Sequence, residues 1–529
     1  MTRQTTTAAV ALYLLAAAVR WATAPDHHIA EDPFILVESA RHLIATGDYR
    51  IPTFSPIDAS LSWVKPSWPV GFPLLLATAF RLFGDAEVVA RLTTIAASAA
   101  IAPLALALGL AVGESLAVAS LAGLLAALHP LAIGFGGQVF TNNLSLVFFT
   151  GALAALAHAA IDSEGRLRRD PRAIVEQRPA ILLAALLAGG MLAVRDTDVI
   201  LGLPLAYLAV SLVGDPRRLT RAAWTTVALA GLMLVVGWAP SLYFNLVNFG
   251  SPFVSTHYAT GIRLDGGYLL RGSGAFFGLP GIAVMFGAMA ACQLPALLIW
   301  LPGFSWTPSR KTIGLLAALV AVPILLVNGA FPVASTGAAP RYTLPVTALA
   351  ALAAAHLLRA AWKHRTGWRV AAACALLLWQ AVMLYPPPAL FALWPRFAYL
   401  AYYSPAYVAW PYRNYPDHTN ALVAWVREHT PDDALIVTPS RVHHFYYYGR
   451  RAVVVADMLP ADRMVEIAGT RPVYVVEDRQ TAQDPHSLDR LKGEVQARGF
   501  TLAEAGGVDV FTPERGLVHV RAYRLATSR

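Results

Sequence analysis

Long apolar runs recur along most of this chain, and no other sequence feature limits its fold as strongly. They extend from Ala8 to Pro388, are rich in Leu, Ala and Val, and reach the roughly 20 residues that a helix needs to cross a bilayer. The chain of 529 residues is 57% hydrophobic and 14% charged, whereas soluble proteins average about 25% charged residues. The sequence therefore predicts a polytopic α-helical membrane protein.

The C-terminal part of the chain differs in composition from the rest, because from Pro411 onwards it is ordinary soluble sequence. Short apolar strands, "ALIVTP", "AVVVA" and "PVYVVED", alternate there with amphipathic helical segments, a pattern typical of a small α/β domain with a parallel sheet. No Gly-rich phosphate-binding fingerprint follows these strands, so we predict no nucleotide site. The predicted domains are a transmembrane domain over residues 1–395 and a small α/β domain over residues 396–529.

Basic residues cluster in four connections between the apolar runs, and such loops lie on the cytoplasmic side of a membrane. They are Arg166–Arg178, Arg217–Arg221, Arg310–Lys311 and Arg359–Arg369. The connections that alternate with them are acidic, aromatic and rich in Gly and Pro, and we expect these outside. The alternation holds only if the short segment Trp68–Phe83, which Pro69 and Pro73 interrupt, lies in or on the outer leaflet.

This topology gives about 11 transmembrane helices. They are predicted near residues 7–24, 90–112, 116–136, 144–161, 180–194, 199–214, 222–241, 275–302, 312–330, 344–360 and 370–390. Arg3 places the N-terminus in the cytoplasm, so an odd number of spans places the C-terminal domain outside the cell. The formal charge of +9 does not indicate a nucleic-acid partner, because the basic residues lie in the loops that set the topology.

The first predicted outer loop contains "IAEDPFILVESARHLIATGDY", residues Ile29 to Tyr49, which is typical of one short helix. Asp32 suits the N-cap, Pro33 the first helical position, and Gly47 the residue after the C-terminus. These features account for Asp32 without any chemistry. A purely structural role therefore stays open beside a catalytic one.

The order Asp32, Glu38, Gly47-Asp48-Tyr49 and Lys65-Pro66, followed by an interfacial helix, resembles the first outer loop of the GT-C glycosyltransferases that use polyprenyl-phosphate sugars. By pattern, the chain is most similar to the lipid A aminoarabinose transferases and the protein O-mannosyltransferases. The resemblance extends from Ala30 to about Ala160 and includes the outer loop "QVFTNN". It implies a GT-C-like fold, a polyprenyl-phosphate sugar donor, and a lipid, glycan or protein acceptor at the external face of a prokaryotic plasma membrane.

The resemblance also implies roles for individual residues. It places the essential carboxylate at Asp32, with Glu31 sharing the role or only flanking the cap. Such a base takes the acceptor's proton as lipid phosphate leaves, and positioned proton transfer contributes about 10²- to 10⁴-fold in rate. Lys65 is either a contact to the lipid phosphate or an interfacial lysine in an aromatic belt. Arg341, beside Tyr342, is the better phosphate candidate, because topology does not require a guanidinium at the outer end of a span.

Further candidates for the substrate pocket come from the predicted outer loops. They are Glu38, Asn142, Asn143, Arg195, Asp196, His257 and Tyr258. Glu38 either supports the base or lies on a solvated face. Arg195, Asp196 and Asp198 are either a paired interfacial cluster or part of an acceptor cavity. Asn142 and Asn143 stand where the family commonly has an acidic residue, which argues against a metal-assisted mechanism. No cofactor or metal ligand is predicted, and a divalent metal ion stays open without a ligand set to support it.

Two other functions stay open at this stage. A transporter or lipid flippase also needs many spans, but such proteins place ionisable groups near the membrane midplane and often contain inverted repeats. The conspicuous charges of this chain lie at the ends of predicted spans, which favours an enzyme. The third interpretation is a non-catalytic protein that uses the GT-C fold to bind lipid or glycan.

Overall fold

The protein consists of two compact units in a computed structural model. The model describes residues 2–24, 31–54, 61–66, 68–168, 170–254, 279–300, 307–330, 339–364, 367–384, 418–438, 445–446, 449–455, 459–477, 487–512 and 516–527. The first unit comprises residues 1–24, 43–49 and 66–408, and the second comprises 25–42, 50–65 and 409–529. The predicted domain boundary between residues 395 and 396 lies outside the described residues.

Helices make up most of the described chain. In chain order they are α1 (Arg3–Thr23), α2 (Glu31–Thr46), α3 (Gly71–Phe83), α4 (Glu87–Ala99), α5 (Ile101–Ala111), α6 (Leu116–Ala127), α7 (Pro130–Gly136), α8 (Thr141–Ala160), α9 (Arg172–Glu176), α10 (Arg178–Val194), α11 (Gly202–Val213), α12 (Arg221–Phe249), α13 (Leu279–Cys292), α14 (Leu294–Leu298), α15 (Pro308–Ala330), α16 (Ala339–Tyr342), α17 (Thr347–His364), α18 (Gly367–Leu384), α19 (His418–His429), α20 (Ala461–Ala468) and α21 (Ser487–Gln496). Short 3₁₀ helices cover Asp196–Leu201, Pro216–Arg218 and Leu344–Val346.

The first unit contains the apolar helices. Among the described residues, 7 helices are long and apolar enough to cross a membrane, or 8 if the bent pair of α6 and α7 forms one span. Each predicted span overlaps one of these helices, or one of the shorter helices α10, α13 and α18. The chain is therefore a polytopic helical protein, and the number 11 stays a prediction. The predicted short segment before residue 84 is the 13-residue helix α3.

Glycine residues allow a close contact between two helices of this unit. A Cβ atom on Gly189 of α10 would lie 2.0 Å from the Leu234 carbonyl oxygen of α12, and one on Gly237 would lie 2.2 Å from the Leu186 oxygen. Since both obstacles are backbone atoms, neither helix has room for a methyl group. Small residues at helix interfaces are a common way to bring two membrane helices together.

The second unit contains a five-stranded mixed sheet and a two-stranded hairpin. The strands are β1 (Ile51–Phe54), β2 (Leu61–Val64), β3 (Leu435–Thr438), β4 (Ala452–Val455), β5 (Val473–Glu477), β6 (Phe500–Thr512) and β7 (Gly516–Thr527). The hairpin pairs β1 with β2, and the sheet has the order β4-β3-β5-β7-β6. The three predicted strands β3, β4 and β5 are parallel, as predicted. The prediction of an all-parallel sheet missed the antiparallel strands β6 and β7.

Both faces of this sheet are covered. On β3, Leu435 and Val437 enter the core cluster that also contains Met464 of α20 and Leu491 of α21. Ile436 points to the opposite cluster, with Val426 of α19. The alternation of side chains along a strand thus gives each face an apolar core, as expected for a sheet buried on both sides.

Candidate functional site

The helix that bears Asp32 begins two residues earlier than predicted. α2 starts at Glu31, so Asp32 lies in its first turn rather than at the N-cap, and its side chain is half-buried. Pro33 fits there because the first-turn N–H groups have no intrahelical partner. A carboxylate in the first turn is stabilised by the positive end of the helix dipole. Gly47 follows the last helical residue with φ +73°, as predicted for a C-terminal glycine.

Tyr49 fixes the end of this loop to the first unit. Its side chain is buried, and its hydroxyl donates to the Trp68 carbonyl oxygen at 2.9 Å. The Asn248 side-chain amide donates to the Tyr49 carbonyl oxygen at 3.3 Å, and the Phe244 ring meets the Tyr49 ring edge-on at 5.8 Å. Burial raises the pKa of Tyr49, so the phenol stays a neutral donor. The Gly-Asp-Tyr turn therefore has a structural role as an anchor.

The other end of α2 belongs to the second unit, together with Lys65. There Arg41 donates to Glu38 at 2.5 Å, and the His42 ring stacks on Trp63 at 3.9 Å. Burial raises the pKa of Tyr446, and the negative charge of Glu38 raises it further while Arg41 opposes this. Glu38 is thus half of an ion pair that faces a residue of the C-terminal region.

The candidate asparagines lie at the start of α8 in the first unit. Asn142 and Asn143 are both buried. The Asn143 amide donates to the Phe135 carbonyl oxygen at 2.8 Å and to the Gln138 carbonyl oxygen at 2.9 Å. Both of its N–H donors therefore hold the turn between α7 and α8. For Asn143 this contact is a structural role that the sequence pattern did not indicate.

Arg195 also lies beside α8, in the predicted cluster with Asp196 and Asp198. It pairs with Asp198 at 3.2 Å, whereas Asp196 begins the 3₁₀ helix. The Ser145 hydroxyl, in the first turn of α8, donates to Asp198 as well. Asp198 belongs to the predicted cluster, and its spacing of three residues from Arg195 is typical of such an ion pair.

Arg341 reaches the same turn from the last predicted outer loop. Its guanidinium lies over the rings of Phe140 and Tyr342, 5.4 Å from each ring centre. Phe140 is the residue just before α8. Arg341 and Asn143, which are about 200 positions apart in the sequence, therefore contact the same short turn. Cation–π contacts of this kind stabilise the position of a guanidinium over a ring.

A charged cluster that sequence reasoning missed lies elsewhere in the first unit. Glu114 is buried between α5 and α6, and it contacts His356 at 2.9 Å and Arg359 at 3.3 Å. Arg359 belongs to a predicted cytoplasmic connection, so this cluster is not on the predicted external side.

Two of the predicted pocket residues fall in a segment for which the structure gives no description. His257 and Tyr258 lie outside the described residues. Within the part of the chain that the structure describes, no group of three or more His, Cys, Asp and Glu side chains is arranged to hold a metal ion. The candidates with described side chains divide between the units: Asp32, Glu38 and Lys65 belong to the second, and the others to the first.

Comparisons with known proteins identify solved structures that have a similar fold. A family profile described as "Domain of unknown function (DUF6798)" matches residues 417–456, and no curated protein matches the chain. The crystal structure of ArnT from Cupriavidus metallidurans bound to undecaprenyl phosphate is similar at a TM-score of 0.59 and 15% identity, covering 99% of this chain and 98% of that one. The apo structure of the same protein gives a TM-score of 0.60 and 14% identity, covering 97% of each chain.

ArnT is a GT-C glycosyltransferase, and the similarity covers the helical unit and the C-terminal region alike. The GT-C-like fold implied by the first-loop resemblance is thereby confirmed. The chain is a helical membrane protein with a GT-C-like fold and a C-terminal α/β region.

Proposed function

We propose that this protein is an inverting membrane glycosyltransferase that moves one hexosyl or pentosyl group from a polyprenyl monophosphate carrier to a lipid, glycan or protein acceptor. The observation that carries the proposal is the fold similarity, over nearly the whole of both chains, to ArnT with undecaprenyl phosphate bound. Such a transfer needs a base and a cation beside the leaving phosphate. The acidic first turn of α2 is the candidate for the base, and the guanidinium of Arg341 is the candidate for the cation.

The proposed reaction is a single displacement. The acceptor hydroxyl oxygen attacks the anomeric carbon, the bond from that carbon to the phosphate oxygen breaks, and polyprenyl phosphate leaves with the electron pair. Asp32 takes the acceptor's proton, with Glu31 as the alternative base. Lys65 and Arg341 balance the charge on the leaving phosphate, and Tyr342 lies beside Arg341. No step requires a metal ion.

The proposed location is the external face of a prokaryotic plasma membrane. Residues 31–42 of the first predicted outer loop belong to the same compact unit as the C-terminal region, which supports placing both on one side of the membrane. The basic connections assign the opposite side to the cytoplasm. This supports an extracytoplasmic C-terminal domain.

The test is turnover of a radiolabelled polyprenyl-phosphate sugar by the purified full-length protein. Asp32→Asn is expected to lower the rate about 10²- to 10⁴-fold, since an amide cannot take the proton. Asp48→Asn, the same change in the same loop, is the matched control and is expected to stay near the wild-type rate.

Full activity in Asp32→Asn would remove Asp32 as the base. No transfer from any polyprenyl-phosphate sugar would reject the enzyme class. The commitment of Asn143 to a backbone turn, where the family commonly has an acidic residue, then favours a non-catalytic protein that binds the lipid. Transport of a lipid-linked sugar across vesicles without product would favour a flippase.

A further inference from the structure

Arg20 is a charged residue that the proposed reaction does not use, and it is fully buried in the first unit, with 0% of its surface exposed. It lies in the last turn of α1, one of the helices long enough to cross a membrane. Ionisable residues within membrane spans are expensive to bury and usually mark a functional site.

The contacts of Arg20 satisfy only part of its guanidinium. Nη1 donates to the Ala16 carbonyl oxygen at 3.0 Å and, more weakly, to the Ala127 carbonyl oxygen at 3.5 Å. Nε and Nη2 are buried and have no hydrogen-bond partner among the described residues, and no described carboxylate forms an ion pair with Arg20. The charge is therefore not neutralised by the described part of the protein.

A structural role explains part of this placement. Ala127 is the last residue of α6, so Nη1 lies at the negative end of α6, whereas its Ala16 acceptor lies one turn back within α1. A cation at a helix C-terminus is stabilised there. Helix ends carry only partial charges, however, and Nε and Nη2 have no acceptor among the described residues.

The guanidinium lies against the turn that Arg341 contacts from another direction. A Cβ atom on Gly136 would lie 2.6 Å from Nε of Arg20, so a larger residue at the end of α7 would displace the Arg20 side chain. The ring of the preceding Phe135 meets the Phe140 ring edge-on at 5.6 Å, and Arg341 lies over Phe140. Arg20 and Arg341 thus contact opposite ends of the turn from Gly136 to Phe140.

We propose that Arg20 supplies a second, buried positive charge to a polyprenyl-phosphate site at Arg341, acting through its field and not by direct contact. This inference rests on the proposed function, because it assumes that Arg341 holds the lipid phosphate. Two guanidinium groups that contact one turn, in a medium of low dielectric constant, favour the binding of a dianionic phosphate group. Arg20 is a positioning residue in this scheme, whereas Arg341 touches the ligand.

The experiment measures binding of undecaprenyl phosphate and of uncharged undecaprenol to the full-length protein in lipid nanodiscs. Arg20→Met is expected to weaken undecaprenyl phosphate binding about tenfold, which is the effect of a unit charge at a distance on the order of 10 Å and an effective dielectric constant of about 20. Binding of undecaprenol is expected to stay unchanged. Arg20→Lys, which keeps the charge, is expected to keep most of the affinity.

The control is Arg3→Met, which removes a charge at the other end of the same helix, roughly 25 Å away. It is expected to leave both affinities unchanged. If Arg20→Met does not fold, Arg20→Gln and Arg20→Lys form a second pair that differs in charge while keeping a polar end.

Equal binding of undecaprenyl phosphate by wild type and Arg20→Met would overturn the inference. A parallel loss of undecaprenol binding would overturn it too, because a purely structural role weakens both ligands. Failure of the wild-type protein to bind undecaprenyl phosphate would instead reject the proposed function, and the inference with it.

Discussion

Both units of this protein bury arginine side chains, and Arg451 of the second unit differs from Arg20 of the first in how its donors are used. Arg451 in the second unit is 6% exposed, yet all three of its guanidinium nitrogens donate to oxygen atoms. Its acceptors include the Arg427 and Thr430 carbonyl oxygens, at 3.0 and 2.7 Å. Arg20 in the first unit keeps two nitrogens without a partner among the described residues.

The difference separates an arginine whose donors hold the fold together from one whose buried charge the described residues leave unbalanced. Arg451 ties the end of α19 to the start of β4 and lies within the segment matched by the family profile. Its contact with Asp432, at 3.0 Å, adds little, because that carboxylate is 99% exposed. A buried guanidinium whose donors all have acceptors stabilises the fold, whereas one with unpaired donors costs free energy to bury.

The largest effect is expected from Arg451→Met. The substitution leaves several buried carbonyl oxygens without a donor, at a cost of about 3–5 kcal/mol in the free energy of unfolding of the second unit. Hydrogen exchange of the amides in α19, β3 and β4 measures it. Arg427→Met, which removes an exposed side chain from the same region, is the control and is expected to change little. Unchanged hydrogen exchange in Arg451→Met would show that the hydrogen bonds of Arg451 do not stabilise the second unit, and would contradict its distinction from Arg20.

A smaller effect is expected from Gly189→Ala, which probes the packing of the first unit. The added methyl group would lie 2.0 Å from the Leu234 oxygen, so α10 and α12 must separate, which costs about 1–3 kcal/mol. Gly231→Ala on α12 has no atom within 4 Å of the new methyl group and serves as the matched control. The midpoint of thermal unfolding in detergent should fall for the first variant and stay level for the second. The reverse order would show that helix contact is looser than the structure indicates.

The smallest effect is expected from Asp462→Asn at the surface of the second unit. Hydrogen bonding to Arg498, with its charge, lowers the pKa of Asp462. A lowered folded-state pKa gives stability above the unfolded value of about 3.9, and this stability is lost as the pH falls through the folded value. The unfolding midpoints of wild type and variant should differ slightly at pH 7 and coincide near pH 2.

Asp433→Asn, in an exposed turn, controls for general charge effects in that comparison. Since exposed ion pairs contribute little, a large effect of Asp462→Asn at pH 7 would contradict the distinction between surface and buried charges.

The features that the sequence predicted depend on local pattern. The apolar helices, the three parallel strands and the left-handed Gly47 each follow from periodicity or from one residue's backbone freedom. The hairpin of β6 and β7 was missed because Gly506 and Gly507 interrupt its alternation, and the register shifts between Glu504 and Gly506.

The features that the sequence did not predict depend on contacts between distant segments. Nothing near Asn143 indicates that its amide holds a turn, and nothing near Arg20 indicates that Gly136 leaves room for it. Both facts require the packing of helices that are far apart in the chain. The candidate site was therefore predictable by residue type, while the partners of those residues were not.

The division of α2 between the two units has a consequence for any attempt to shorten the protein. Its last turn, with the Tyr49 anchor, belongs to the membrane unit, whereas the turn that bears Asp32 belongs to the unit completed by the C-terminal region. A chain that stops near residue 395 would keep every candidate membrane helix among the described residues and still lose the surroundings of its proposed base. The smallest active form of this protein is therefore expected to need both ends of the sequence, and two fragments expressed together should recover activity that neither has alone.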